Sequence, residues 1–444
     1  MNSFILGMFS FLIFILSVNG TMALRNTLAI IFLVSLVALV IKGRANLNSI
    51  FNNKEFRWIS GSLVIFVIYI LFHSIYLSHE MLWSLSEFKS HIFYPMIYFF
   101  MGISLAAYVF QSEHATKETL ITILFFSLFI HILYIDLVAI DKLFHEGVMM
   151  RRYGGLMDSP VQPNYITNIL LAMIIAEFVY RLRAKKTVLK VSNVVLYLLL
   201  IACIFSTFVE ALRLGDIALV FLGIGSSVAF LYKNNQYSVG IKRSIATGLV
   251  VVLTIPLAYN LSTDPRWAKL IETIPLAIDT SNSMHWLDKS QEGPRTESGH
   301  EVKGSNYERI AWGVKSLEYV IDEPMGVGFG RNAFGHAMEK RHGALAERGW
   351  TAHSSILDLT VGAGVVATFL WLLFVYRVVK PAIKKFEKNY DYFALLTLFI
   401  TMGYVGRSFV DANMRDHMFL EFMIILGISL FYMFLERDKS FDIK

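Results

Sequence analysis

Unbroken apolar runs are the feature of this sequence that most restricts its fold. Across residues 63–77, Phe, Ile, Leu and Val follow one another with almost no charge, and comparable runs recur along the chain. A helix of roughly 20 apolar residues spans a bilayer core. Backbone N–H and C=O groups find no partner in lipid, so a spanning segment is a helix or part of a closed barrel. Continuous runs lack the alternation that a barrel strand needs. The reading is therefore an all-α polytopic membrane protein. Composition agrees: 55% of the 444 residues are hydrophobic and 17% charged, and the mean hydropathy is +0.55, too apolar for an ordinary soluble domain.

Window logic gives about twelve transmembrane helices, near residues 4–19, 24–41, 58–77, 91–110, 119–140, 164–181, 188–208, 214–232, 243–261, 355–379, 392–409 and 418–435. No basic residue precedes the first run and a second follows at once, so it reads as a retained helix rather than a secretory signal. Lys and Arg collect after the even-numbered runs: Lys42, Arg44, Lys54 and Arg57; Arg181, Arg183, Lys185, Lys186 and Lys190; Lys233, Lys242 and Arg243; Arg377, Lys380, Lys384, Lys385 and Lys388. The positive-inside rule then places these loops and both termini in the cytoplasm. The chain divides into spans one to nine (1–261), a large loop on the opposite, non-cytoplasmic side (262–352) and spans ten to twelve (353–444).

Topology also accounts for the net charge of +6 and the pI near 9.1, since the basic residues sit in short loops. No nucleic-acid signature accompanies them. The one cysteine, Cys203, lies inside an apolar run, so neither a disulfide nor a cysteine metal site can form within one chain. The large loop is mixed in charge. Within 307–321, Ile310, Val314, Leu317 and Ile321 recur at helical spacing and predict an amphipathic helix with that stripe inward, whereas 282–305, rich in Ser, Gly, Glu and Lys, reads as its flexible part.

Several polar residues fall on the loop side. Arg213, between Glu210 and Gly215 at a helix end, either snorkels and pairs with Glu210 or clamps a lipid-linked phosphate with its guanidinium fork. Arg309 is expected in the first turn of the amphipathic helix, paired with Glu308 or helping the helix N-terminus to hold an anion such as pyrophosphate. Arg152 is a further basic spot for a lipid phosphate or for headgroups. The run Gly326, Val327, Gly328, Phe329, Gly330 lacks the lysine of a phosphate-binding loop and reads as a turn that redirects the chain after Pro324. His353 opens the tenth run, either as a polar helix-end residue or as a general base whose unperturbed pKa lies near working pH. His336 and His342 raise a metal site, but no ligand spacing supports one. Asp411 and Arg415, at i and i+4, suit a structural pair.

Taken in order, the many helices, the Arg-x-Gly at a helix end, the arginine in a loop helix followed by Pro-x-Gly-x-Gly, and the histidine at a helix start resemble the O-antigen ligase and polymerase superfamily. His353 and Ser354, then nine residues, Gly364, Val365, Val366 and Ala367, are similar to the ligase motif. The specific likeness covers Arg213 to Ala367. Around Arg213 the chain reads Phe208, Val209, Glu210, Ala211, Leu212, where such proteins commonly carry Thr-Gly-Ser. The resemblance implies a glycosyltransferase C type fold. It also implies transfer of O-antigen glycan from undecaprenyl diphosphate to a sugar hydroxyl of lipid A-core, at the periplasmic face of a bacterial inner membrane. Arg213 and Arg309 would be its two essential arginines, with Arg152 as a lesser diphosphate contact, and His353 its essential histidine. Diphosphate is already a good leaving group, so arginines suffice to stabilise it and neither metal nor other cofactor is expected. Attack opposite the diphosphate predicts inversion. The polymerase, which extends lipid-linked repeats, is the nearest alternative; a transporter or flippase fits less well, because the charges gather at one face and the large loop breaks any symmetry of halves.

Overall fold

The structure is a computed structural model that describes residues 2–435 except 158, 233–236, 264–265, 297–298, 300 and 303; the side chains of residues 2, 213, 214, 266, 268 and 416 are also outside the described part. Lys233, Asp158 and the Arg213 side chain thus lie outside the described residues. The chain begins with α1 (Asn2–Ile15), α2 (Met22–Ile41), the single turn α3 (Asn48–Phe51), α4 (Lys54–Tyr76), α5 (Met81–Phe88), a π-helical turn (Lys89–Phe93) and α6 (Tyr94–Phe110). There follow α7 (Lys117–Glu146), α8 (Val161–Ala184), α9 (Asn193–Glu210), α10 (Arg213–Leu231) and α11 (Val239–Thr263). The large loop holds α12 (Arg266–Ile278), α13 (Gly304–Asp322) and α14 (Ala333–His342), and α15 (Ser355–Asn389), α16 (Tyr392–Ser408) and α17 (Asp416–Phe434) close the described chain.

Every apolar run overlaps a helix, but among the described residues nine helices are long and apolar enough to cross a membrane, with Met81–Phe110 continuous through its π turn. The expected twelve is therefore more than length and composition support. The runs at 4–19, 214–232 and 392–409 fall short: the apolar helices there are Ser3–Ile15 and Gly215–Leu231 and the 17-residue α16. Helix starts follow local chemistry. Asn53, Thr116, Ser192, Ser354 and Asp391 each turn a side-chain oxygen onto backbone N–H groups of the first turn of α4, α7, α9, α15 and α16, satisfying donors that have no intrahelical partner.

At the centre α6 and α17 lie backbone to backbone. A Cβ on Gly102 would sit 2.2 Å from the Ile424 carbonyl oxygen, and one on Gly427 would sit 2.4 Å from that of Phe99. Small residues permit this close approach, and dispersion between the backbones holds it. The apolar window of α17 is 94% buried and that of α2 only 17%, so α17 is the hub and α2 a peripheral helix facing what surrounds the protein.

The basic loops gather at one end. Arg183 is buried, donates to the Tyr232 carbonyl at 2.8 Å and lies 4.0 Å from the Tyr390 ring. Arg377 lies 5.2 Å from the ring of Trp58. His353, α12, α13 and α14 occupy the opposite end, which carries a second hydrophobic core around Trp286, Tyr307, Trp312, Tyr319, Phe334 and Trp350.

Two expectations for this loop need correction. First, α13 starts at Gly304, not 307, and buries Tyr307, Ala311, Trp312, Ser316 and Tyr319, while Leu317 and Ile321 are 56% and 79% exposed. Aromatic packing chose the buried face; of the aliphatic stripe only Ile310 packs against the loop core, and its C-terminal part points away. Second, part of 282–305 is folded: Trp286 and Leu287 are buried, the Trp286 indole donates to the Thr280 carbonyl at 3.2 Å, and the backbones of Arg295 and Glu301 pair in an isolated antiparallel β-bridge.

The Gly326–Gly330 turn does more than redirect the chain. α15 is interrupted at Gly364, where φ is 82° and ψ 174°. The carbonyls of Val361 and Gly362 accept instead from the N–H groups of Val327 and Gly328, at 2.9 and 2.8 Å, and Val365 N–H donates to the Pro324 carbonyl at 3.0 Å. Gly326, with φ of 82°, leaves no room for a side chain, since its Cβ would lie 2.4 Å from the Gly362 oxygen. Close approach and positive φ thus both demand glycine here.

Candidate functional site

His353 sits in the last link before α15 with φ of 53°, a left-handed conformation that is uncommon outside glycine and marks a constrained residue. Its neighbours are stapled. The Ser354 hydroxyl donates to the Ser408 carbonyl at 3.1 Å, and Ser355 N–H donates to the Asp411 carbonyl at 3.0 Å. Met414 N–H donates to the Ser355 hydroxyl at 2.8 Å, and Asp358 accepts from Ala352 N–H at 2.9 Å. The histidine is therefore held between α15 and the link from α16 to α17.

The imidazole lies flat on Trp312, with ring centroids 5.6 Å apart and planes 3° apart. Trp312 in turn stacks on Trp350 at 4.9 Å, and its indole donates to the Trp286 carbonyl at 2.9 Å. Burial pushes the His353 pKa down to about 4; Arg309 and Arg415 press it the same way and Asp411 opposes them. The imidazole is thus neutral near pH 7, with one ring nitrogen free of a proton.

Arg309 is exposed. Because α13 begins three residues early, it stands in the second turn rather than the first, where the helix-end field is weaker. Glu308, its expected partner, pairs with Lys289 at 3.2 Å. Arg309 and Trp312 share one face of α13 by their i, i+3 spacing, and that face meets His353. The expected pair of Asp411 with Arg415 does not form; the Arg407 guanidinium takes Asp411 at 2.8 Å. Arg415 instead lines a cavity of about 30 Å3 together with His91, Arg331, Ser355 and Asp358.

Arg213 is the first residue of α10, two residues after a left-handed Ala211. Glu210, weighed as its partner, has both oxygens engaged by Asn164 at 2.8 Å and Thr167 at 2.6 Å. Asn164 also accepts from Arg407 at 3.1 Å, and Arg407 donates to the Val161 carbonyl at 2.9 Å. Arg152, also left-handed, gives its N–H to the Val209 carbonyl at 2.7 Å. The Arg152 backbone therefore abuts the end of α9 just ahead of Arg213. One hydrogen-bonded seam runs from there through Glu210, Asn164, Arg407 and Asp411 to the backbone of Ser355, next to His353.

His336 and His342 do not join this site. His336 stacks on Trp83 at 3.7 Å and contacts Glu80 at 3.0 Å, while His342 lies edge-on to Trp286. Among the described residues, no three His, Cys, Asp or Glu side chains gather in a way that could hold a metal ion. Sequence reading missed Trp312, Arg407 and the Arg415 cavity. Trp312 could have been found from its position three residues after Arg309. The Asn164 and Arg407 bonds join residues far apart in the chain and leave no local signal. No protein-family model matches the chain, and no curated protein matches it in sequence.

Proposed function

We propose that this chain is a membrane glycosyltransferase of the O-antigen ligase type. It moves a glycan from undecaprenyl diphosphate to a hydroxyl of lipid A-core in the periplasm, with inversion and without a metal. The observation that supports this most is the neutral imidazole of His353, held on Trp312 with Arg309 and Arg415 near enough to act on it. In this reading α1, α10 and α16 also cross the inner membrane, both termini are cytoplasmic, and the His353 end faces the periplasm.

His353 accepts the proton of the acceptor hydroxyl while that oxygen forms a bond to the anomeric carbon. The bond from that carbon to the diphosphate oxygen breaks, and its electron pair leaves with the diphosphate. Arg309 and Arg213 stabilise the departing charge, with Arg152 as a further contact. A pKa near 4 makes a weak base. A bound diphosphate offsets the arginine charge and raises it toward the range of a working base.

The test is His353→Ala in a strain lacking the native gene, expected to lose transfer by a factor of about 10²–10⁴ while the protein stays in the membrane. Wild-type transfer by that variant would end the assignment. In the null strain, loss of all capped lipopolysaccharide indicates the ligase, and single-repeat caps indicate the polymerase. Reconstitution with both lipids in chelator checks the metal-free step, which would be overturned by activity that disappears.

A further inference from the structure

α12 follows α11 in the chain and takes no part in the candidate site or in the seam beside it. Its 13 residues reach about 20 Å at 1.5 Å per residue, too short to cross a bilayer. Three sectors divide its circumference. Leu276 and Ala277 pack in the loop core, and Thr273 beside them is buried. Lys269 and Glu272 are exposed, as is Asp279 just past the helix end. On a third side Ile271, Ile274 and Ile278 recur at helical spacing and are 67%, 39% and 55% exposed. Pro275, exposed, and Trp267, half-buried, stand on that same side. Left in water, such a row forfeits the gain that burial of apolar surface brings.

What covers it follows from the preceding helix. α11 is long and apolar enough to cross a membrane, and its apolar window is only 22% buried. Val251, Ile255 and Leu261 are exposed on it, the surface that a spanning helix turns to lipid. α11 ends at Thr263 and α12 begins at Arg266, so the link reaches about 10 Å at most. α12 therefore starts at the membrane boundary on the His353 end.

We infer that α12 lies in the headgroup layer of the leaflet at the His353 end, with Ile271, Ile274 and Ile278 among the upper acyl carbons. Trp267 stands at the boundary, and Lys269 and Glu272 face water. A short amphipathic helix seats its apolar face about 5–10 Å into the boundary between headgroups and acyl chains, and an indole suits that boundary. A second copy of the chain fits less well. A stable interface takes about 800 Å2 from each partner, more than three isoleucines, a proline and an indole edge supply. The loop core does not hang on this contact, because Pro324 and Met325 fasten it to α15 and α4. The inference does not depend on the glycan-transfer reading.

The test uses full-length protein in nanodiscs of phosphatidylethanolamine and phosphatidylglycerol. Spin labels are attached singly at Ile271→Cys, Ile274→Cys, Ile278→Cys and Lys269→Cys. Cys203 is buried, so unsubstituted protein is the labelling blank. Power saturation compares collisions with oxygen, which concentrates among acyl chains, and with a water-soluble nickel chelate. The three isoleucine positions are expected to favour oxygen, and Lys269 the chelate. A chelate preference at all four positions puts the row in water and overturns the inference. Low access to both reagents at the isoleucine positions means that a second copy covers them, and overturns the leaflet assignment. Ile271→Asn with Ile278→Asn is expected to shift the label at Ile274→Cys toward the chelate while the protein still elutes as one species. An unchanged oxygen preference there shows that the isoleucine row does not seat the helix, and also overturns the inference.

Discussion

Two buried seams run through this bundle and are built in opposite ways. Between α6 and α17 nothing polar is needed: Gly102 and Gly427 bring the helices into backbone contact. Between α8, α9 and α16 the partners are Asn164, Thr167, Glu210, Arg407 and Asp411, each buried or half-buried and joined by side-chain hydrogen bonds. Packing alone would serve both places. Polar groups inside a membrane protein are costly and gather where function needs them, and only the second seam leads to His353. The first seam sets how tightly the bundle closes, and the second sets where the charged residues at its end can stand.

Substitutions can break either seam. The largest effect is expected at the apolar one: Gly427→Leu drives a side chain into the Phe99 carbonyl and should leave little folded protein in detergent extracts, whereas Gly427→Ala costs about 1–3 kcal/mol in a denaturant titration. A normal melting curve for the leucine variant would deny that these backbones touch. Next comes Arg407→Ala, which strands Asp411 and Asn164 and should cost about 3–5 kcal/mol in the same titration. If Arg407→Ala melts like the wild type, the polar seam is not a structural unit. Arg309→Ala leaves both seams intact, so its melting should not change while transfer falls by about 2–4 kcal/mol of transition-state stabilisation. A fall in stability equal to the fall in rate would make Arg309 a packing residue.

The smallest effect concerns pH. His353 sits near 4 in the folded protein against an ordinary value of 6.5, so the unfolded chain binds its proton first. The contribution is complete above pH 6.5 and is lost as pH falls from 6.5 toward 4;. The wild type should therefore lose more thermal stability than His353→Gln between about pH 7 and 5. Parallel slopes in a thermal-shift series would mean that the imidazole is not buried as described.

The apolar runs and the clustering of Lys and Arg were legible in the sequence because each depends on neighbours in the chain. That legibility extended to His353 at the head of α15, where Ser354 is the cap, and to Arg309 on a loop helix. It failed where a choice was made across the fold. The aliphatic stripe of α13 reads as its buried face, but Trp312 and Tyr319 pack inward because Trp286, Phe334 and Trp350 are waiting for them. Asp411 has arginines at i−4 and i+4, and the bonds of Arg407 to Asn164 and Val161 decide between them. The approach of Arg152 to the end of α9 is likewise a backbone contact that no spacing announces.

The break at Gly364 has a consequence for how the site meets its surroundings. Pro324 and Met325 are fastened level with the third turn of α15, and the Met325 carbonyl is also held by His73 at 2.7 Å. The loop core, and with it Trp312 and Arg309, is thereby anchored to two long helices rather than resting on whatever lies around them. Its height is fixed by an internal datum. If lipid composition thickens or thins the bilayer, the headgroups shift past this assembly while the spacing between Arg309 and His353 stays constant.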